Sequence, residues 1–334
     1  MSFLRKNLSA KATSSQKRGA DTMISECVIE VEDLVVVYRN GKKSKRAVDG
    51  ISFRVRRGEC VGFIGPNGAG KSSTIKAIMG FLFPASGNAT VFGLPAGSVE
   101  SRKQIGYLPE VALYYPFMKG RELLELYGGL HRIPGKELKS RVPELLERVG
   151  LTGAGETLIR HYSKGMQQRL GIAQAIISDP DCLIFDELSA GLDPLGRHDL
   201  REVLLELKRK GTTIFFSSHE LSEVETLCDR AIMIHEGKIV CEGHVADLMK
   251  PLDQYEIEFS LSNGADIRSV VPASARVQSN GNRKRVEVNS HETYSRLLTY
   301  FINAGATIHH SEARRISLED FFINLVRPDG KTKA

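Results

Sequence analysis

Gly65-Pro66-Asn67-Gly68-Ala69-Gly70-Lys71-Ser72 is a complete G-x-x-x-x-G-K-[ST] stretch, set between the apolar run Val61-Gly62-Phe63-Ile64 and the helix-compatible segment Ser73 to Met79. A buried strand that turns through glycines into a helix start is the context that gives this spacing its meaning. The loop's backbone N–H groups can turn inward around phosphate oxygens, and Lys71 supplies a point charge for the β and γ phosphates. Ser72 offers its hydroxyl to Mg²⁺, and the helix N-terminus adds its positive end. Residues 65–72, with Ser73 behind them, are therefore the expected contacts of a nucleoside triphosphate.

Around this loop the apolar pattern is that of an α/β chain. Val28 to Val31 and Leu34 to Tyr38 are β-branched runs, and a Gly/Lys-rich turn at Gly41 to Lys45 leads to a further run, Ala47 to Val55, so two or three antiparallel strands precede the phosphate loop. Tyr38, at a strand end, either offers its ring to a nucleotide base or packs as an ordinary strand tyrosine. A strand is predicted at Ala89 to Phe92, and the stretch Ile105-Gly106-Tyr107-Leu108-Pro109-Glu110 follows it. Gly120 to Val149 reads as a helical insertion broken at Ile133-Pro134-Gly135.

Ser163 stands where an N-cap belongs, ahead of a helix that continues through Ile176. The strand Cys182 to Phe185 then ends in Asp186-Glu187, and Thr213 to Phe216 ends in Ser217-Ser218-His219, with a helix from about Gly196 to Lys210 between them. Buried strands alternating with helices predict a parallel sheet, whose ligands gather at the carboxyl ends of strands. Asp186, Glu187 and His219 fall at such ends. Asp186 is placed to meet Mg²⁺ through water, and Glu187 to polarise an attacking water.

Composition narrows the remaining classes. At 334 residues the chain suits a large nucleotide-binding domain followed by a smaller one, and 41% hydrophobic with 26% charged residues is ordinary for a globular protein. No apolar run approaches the ~18 residues that span a bilayer, so a role at a membrane calls for a spanning partner. The five cysteines, Cys27, Cys60, Cys182, Cys228 and Cys241, form no C-x-x-C pair, against a zinc site or a disulfide framework. A formal charge of +6 on so long a chain identifies no nucleic-acid surface. Residues 1–26 read as a disordered basic tail without the apolar core of a secretory signal, and Met23 is an alternative start.

From Asp253 onward the pattern changes to a half-buried strand at Tyr255 to Leu261, short strands near Arg285 and Thr307, and amphipathic helices around Leu297–Ile302 and Leu318–Val326. These predict a small α+β domain with a split βαβ pattern. His309 and His310, adjacent in a strand, point to opposite faces and are expected to be surface histidines.

Taken in order, these features resemble an ABC transporter ATPase subunit over about Val28 to Gly243. The resemblance identifies Tyr38 as the aromatic A-loop residue, Gly65 to Ser72 as Walker A, Glu110 as the Q-loop position, and Tyr162 to Met166 as the signature. It identifies Asp186-Glu187 as Walker B with its catalytic glutamate, Ala190 to Asp193 as the D-loop, and His219 as the switch histidine.

The implied fold is an α/β P-loop NTPase with an antiparallel β subdomain and a helical subdomain at 27–252, plus the accessory α+β domain at 253–334. The implied ligands are ATP and Mg²⁺, with Glu187, His219 and Lys71 catalytic and with Ser72, Asp186 and Glu110 around the metal. The implied partners are a membrane permease and a second ATPase subunit, expected to be a copy of this chain, at the cytoplasmic face of the membrane. Two cassettes would close head to tail, each Ser163 and Gly165 reaching the γ-phosphate held by the other. No nucleic acid is expected.

Glu110 in place of Gln, Tyr-Ser-Lys-Gly-Met at the signature, Leu188-Ser189 after the catalytic glutamate and Ala190 opening the D-loop depart from the commonest family pattern. The Leu-Pro-Glu and Ser-Lys-Gly-Met variants are similar to the branch of drug, sodium and lipid exporters. An importer ATPase, or a non-transport member acting on nucleic acid or ribosomes, is the alternative.

Overall fold

The computed structural model describes residues 27–41, 43–189, 191–249, 251–261, 271–272, 275–280, 283–315 and 317–326. The basic tail and Ala190 of the D-loop lie outside the described residues. Contacts divide the chain into two units, between Val245 and Ala246.

The first unit opens with β1 (Cys27–Asn40) and β2 (Lys43–Arg56), paired antiparallel from Cys27↔Arg56 to Asn40↔Lys43. The two β-branched runs of the sequence are thus one strand. Its pairing is irregular between Val31 and Leu34, where Asp33 adopts φ 46° and its N–H donates to Ser52 Oγ at 2.8 Å. A bulge of this kind lets a strand continue through two polar residues that interrupt its alternation.

β3 (Cys60–Ile64) is buried along its whole length and runs through the glycine loop into α1 (Lys71–Ile78). β4 (Ser86–Val91) pairs with β1, and β5 (Leu94–Pro95) completes an antiparallel sheet of order β2-β1-β4-β5. A short helix, α2 (Val99–Lys103), precedes β6 (Ile105–Leu108). The helical insertion follows as α3 (Gly120–Leu130) and α4 (Gly135–Arg148), separated at Pro134, with Leu123 and Leu124 of the one and Leu138, Val142 and Leu145 of the other buried. A proline suits this break because it stands at the start of a helix without leaving an N–H unpaired.

α5 (Lys164–Ile176) starts at Ser163, whose Oγ accepts the Met166 N–H at 3.2 Å. β7 (Cys182–Phe185), α6 (Pro194–Arg209), β8 (Thr213–Ser218) and α7 (Leu221–Leu227) complete the α/β alternation. A hairpin that the periodicity did not predict, β9 (Arg230–His235) and β10 (Lys238–His244), closes the second sheet, and α8 (Val245–Leu248) follows. That sheet has order β10-β9-β3-β8-β7-β6, parallel except for β10. Phe53 of the first sheet and Phe63 and Phe215 of the second meet with ring centroids 5.6 Å apart, joining the two sheets through one apolar core.

In the second unit β11 (Pro251–Ser260), β12 (Arg276–Asn280), β13 (Arg283–Val288), α9 (His291–Asn303), β14 (Thr307–Arg315) and α10 (Leu318–Val326) follow one another. The sheet order is β12-β13-β11-β14. Because β13 and β14 are both antiparallel to β11, they run parallel to each other on either side of it, linked by α9 in a split βαβ unit. Its core is Tyr255, Ile257, Phe259, Val286, Val288, Leu297 and Phe301, with Phe259 and Phe301 stacked. Within the apolar stripes, Ile302 of α9 and Leu325 of α10 are exposed. His309 bonds Ser260 Oγ at 2.9 Å and His310 pairs with Glu312.

Candidate active site

The sheet order sets the site. β3 lies beside β8, and β8 beside β7, so the glycine loop, Ser217-Ser218-His219 and Asp186-Glu187 emerge from three adjacent parallel strands at the same end. β6 is next, with Leu108 accepting the Asp186 N–H at 2.9 Å, which brings Glu110 to that edge one strand beyond Asp186. Glu110 is exposed there.

Two glycines of the loop are required by close approach. A Cβ on Gly65 would lie 2.2 Å from the Ile234 carbonyl oxygen, and one on Gly70, whose φ is 116°, would lie 2.5 Å from that of Ala47. Both backbones therefore pack where only hydrogen fits. No side chain caps the α1 start at Gly70, so its leading N–H groups are left to an anion. Behind them Tyr38, exposed at the end of β1, places its hydroxyl 3.2 Å from Ser73 Oγ in the first turn of α1. The aromatic ring and the loop, separated by the whole of β2 in sequence, are thus brought together.

Lys71 is 5% exposed, and its ammonium donates to the Gly65 carbonyl at 2.7 Å while lying 3.2 Å from Glu187 Oε1. The other carboxylate oxygen of Glu187 lies 2.6 Å from His219 Nδ1. Ser72 Oγ donates to Asp186 Oδ1 at 2.9 Å. Lys71, Ser72, Asp186, Glu187 and His219 form one connected cluster, which supplies cation, hydroxyl and carboxylates within a few ångströms. The adjoining Ser72 hydroxyl and Asp186 carboxylate are hard oxygen donors, the chemistry that suits Mg²⁺ with waters completing its shell.

Three further residues were not identified from sequence. Ser217, fully buried at the end of β8, accepts the Glu187 N–H and donates to Asp186. Gln168 of α5 donates to the Leu188 carbonyl at 2.9 Å and the Glu187 carbonyl at 3.5 Å, tying the signature helix to the acidic loop. Glu223 of α7 is buried and accepts from Ser218 Oγ at 3.1 Å. Burial raises its carboxyl above the usual carboxylate value, opposed by hydrogen bonds from Ser189 and Ser218. Beside the site, burial and then the Asp186 charge push the Tyr107 phenol up to about 12. A Gln within a signature-like helix start and a Ser-Ser-His strand end were the available signals, but neither shows which side chain turns inward.

Ser163 and Gly165 stand apart from this cluster. Ser163 caps α5, and a Cβ on Gly165 would lie 3.4 Å from the Gly191 carbonyl oxygen and 3.8 Å from Leu192, so the signature packs on the D-loop of its own chain.

The family profile described as ABC transporter matches residues 48–190. An uncharacterised ABC transporter ATP-binding protein of Nostoc sp. is 38% identical over 305 residues, covering 90% of each chain. The linearmycin resistance ATP-binding protein LnrL of Bacillus subtilis is 32% identical over 308 residues, covering 89% of this chain and 98% of that one. A solved structure described as the ATP binding subunit of an ABC transporter superposes with TM-score 0.60 at 34% identity, over 66% of this chain and 91% of that one.

Proposed function

The chain belongs to the family of ABC transporter ATP-binding proteins, and on that premise we propose that it hydrolyses ATP to drive a separate membrane permease of the exporter type. The observation that carries the catalytic part is the contact chain Lys71, Glu187, His219, assembled at the ends of adjacent strands. Lys71 and the α1 N-terminus hold the β and γ phosphates, and the Tyr38 ring stacks on the base. Ser72 and Asp186 would hold Mg²⁺, with Glu110 as a further candidate ligand; when bound, the ion would neutralise charge on the β and γ phosphates.

Glu187 accepts a proton from the attacking water as its oxygen bonds to the γ phosphorus and the bond to the bridging oxygen of ADP breaks. His219, hydrogen-bonded to Glu187, orients that carboxylate and the γ-phosphate.

A second copy of the chain supplies Ser163 and Gly165 to the γ-phosphate across a head-to-tail interface. Ser163 then serves as both helix cap and phosphate donor. The export direction is supported by the Leu-Pro-Glu and Ser-Lys-Gly-Met variants and by the likeness to a resistance protein. Among the described residues no helix is long and apolar enough to cross a membrane. The exposed apolar residues Val111, Leu113, Tyr115 and Phe117, beyond β6, offer a surface for a membrane partner at the cytoplasmic face.

The test is assembly state. Glu187→Gln in ATP is expected to elute as a dimer by light scattering, and Glu187→Gln carrying Lys71→Ala as a monomer. A Glu187→Gln protein that remains monomeric in saturating ATP would overturn the head-to-tail reading.

A further inference from the structure

Glu187 is a non-glycine residue at φ 59°, in the left-handed region that L side chains rarely adopt. Such a conformation persists only where its surroundings over-determine it, and here they do. The Glu187 N–H donates to Ser217 Oγ at 2.8 Å, the Leu188 N–H donates to the Ser217 carbonyl at 3.3 Å, and Gln168 Nε2 holds the carbonyls that follow. The same Ser217 hydroxyl donates its proton to Asp186 Oδ1 at 2.9 Å. A hydroxyl has one proton to give and lone pairs to accept with, and this one uses both functions, with no solvent to compete since Ser217 is 0% exposed. Ser218, next in the strand, serves another group, Glu223.

We propose that Ser217 is a positioning residue of ATP hydrolysis: its single hydroxyl fixes the strained backbone that aims Glu187 and, at the same time, the carboxylate of Asp186, so that base and metal ligand keep one mutual geometry. Asp186 Oδ1 accepts from both Ser72 and Ser217, which sets the carboxylate plane. Without the Ser217 hydroxyl a buried N–H of Glu187 loses its acceptor, and the left-handed turn loses the bond that holds it at its start. A side chain that depends on this turn for its aim then misses the attacking water, and misplacement on the order of 1 Å is enough to cost about a hundredfold in rate. Nucleotide affinity rests instead on Lys71 and the glycine loop, with which Ser217 makes no direct side-chain hydrogen bond among the described residues. The inference rests on the reading of Glu187 as base.

The experiment uses the full chain and the variants Ser217→Ala, Ser217→Thr and Ser217→Val, with Glu187→Gln alongside. Thr and Val share one shape, so their difference isolates the hydroxyl, and Ala guards against overpacking in a buried position. Expected for Ser217→Ala is a kcat lower by about 10- to 100-fold, with KM and the Kd for ATP in EDTA, from equilibrium titration, within about twofold of the parent. Ser217→Thr is expected to recover most of the lost kcat and Ser217→Val none. If Glu187→Gln abolishes hydrolysis while Ser217→Ala keeps kcat within twofold, or if Thr and Val are alike in rate, the role of Ser217 is overturned and the base stands. If Glu187→Gln hydrolyses ATP normally, the base reading itself fails.

Discussion

Lys71 Nζ lies 3.2 Å from Glu187 Oε1, although the two residues belong to the helix start after β3 and the loop after β7, strands separated in the sheet by β8. Both are almost completely buried, and a buried pair is tolerated when each charge has further partners. Lys71 has the Gly65 carbonyl and Glu187 has His219. On the proposed reading, the pair brings a cation and the base to one place, beside the glycine loop.

Glu187→Gln is expected to keep ATP binding and lose steady hydrolysis by about 10²- to 10⁴-fold, because the amide is isosteric but cannot accept the water's proton. Phosphate release measured beside equilibrium titration of ATP checks it. Near-normal release would remove Glu187 from the role of base.

Lys71→Ala removes the charge at the β and γ phosphates and is expected to weaken binding and hydrolysis together, by about tenfold or more in Kd. His219→Ala is expected to leave Kd within about twofold while kcat falls, since His219 reaches the site through Glu187. An equal loss of affinity in both variants would contradict this division of work.

Gly65→Ala tests the loop without altering any charge. Its new methyl would meet the Ile234 carbonyl at 2.2 Å, a backbone atom that cannot swing aside. ATP affinity is expected to fall along with the unfolding midpoint. An unchanged midpoint with parental affinity would show that the loop has room the packing denies.

Glu223→Gln carries a pH signature. Burial raises the Glu223 carboxyl in the folded chain above its ordinary 4.5, so its contribution to stability is fully present below that value and is lost as pH rises through the folded value. At pH 8 the variant is therefore expected to unfold at a higher temperature than the parent, as followed by thermal denaturation across pH. Its advantage should shrink as pH falls toward 4.5. An advantage that grows on acidification would reverse the sign of the argument.

A chain ending at Lys250 is expected to bind ATP with parental affinity, because every side chain of the cluster precedes Ala246 and the second unit has a core of its own. Circular dichroism confirms folding and equilibrium titration reads the binding. A folded but non-binding truncate would mean that the second unit, proposed as an accessory domain, supplies part of the nucleotide site.

The amino-acid sequence by itself determined the phosphate loop, the strands that end in Asp186-Glu187 and His219, the helical insertion and the split βαβ pattern of the second unit. Each is a local code: glycine spacing, alternation, or an apolar run ended by a polar pair, readable because a strand or helix start depends mostly on neighbours in the chain. Tertiary structure decided the rest. That β1 continues through Asp33, that β9 and β10 close the second sheet, and that Tyr38 meets Ser73 depend on pairing with distant segments. Ser217, Gln168 and Glu223 became visible only when packing turned them inward, because a Ser, Gln or Glu has the same local pattern whether it faces water or completes a buried network. What decides between the two is the hydrogen-bonding need of the groups it is packed against, here the strained Glu187 peptide, the Asp186 carboxylate and Ser218.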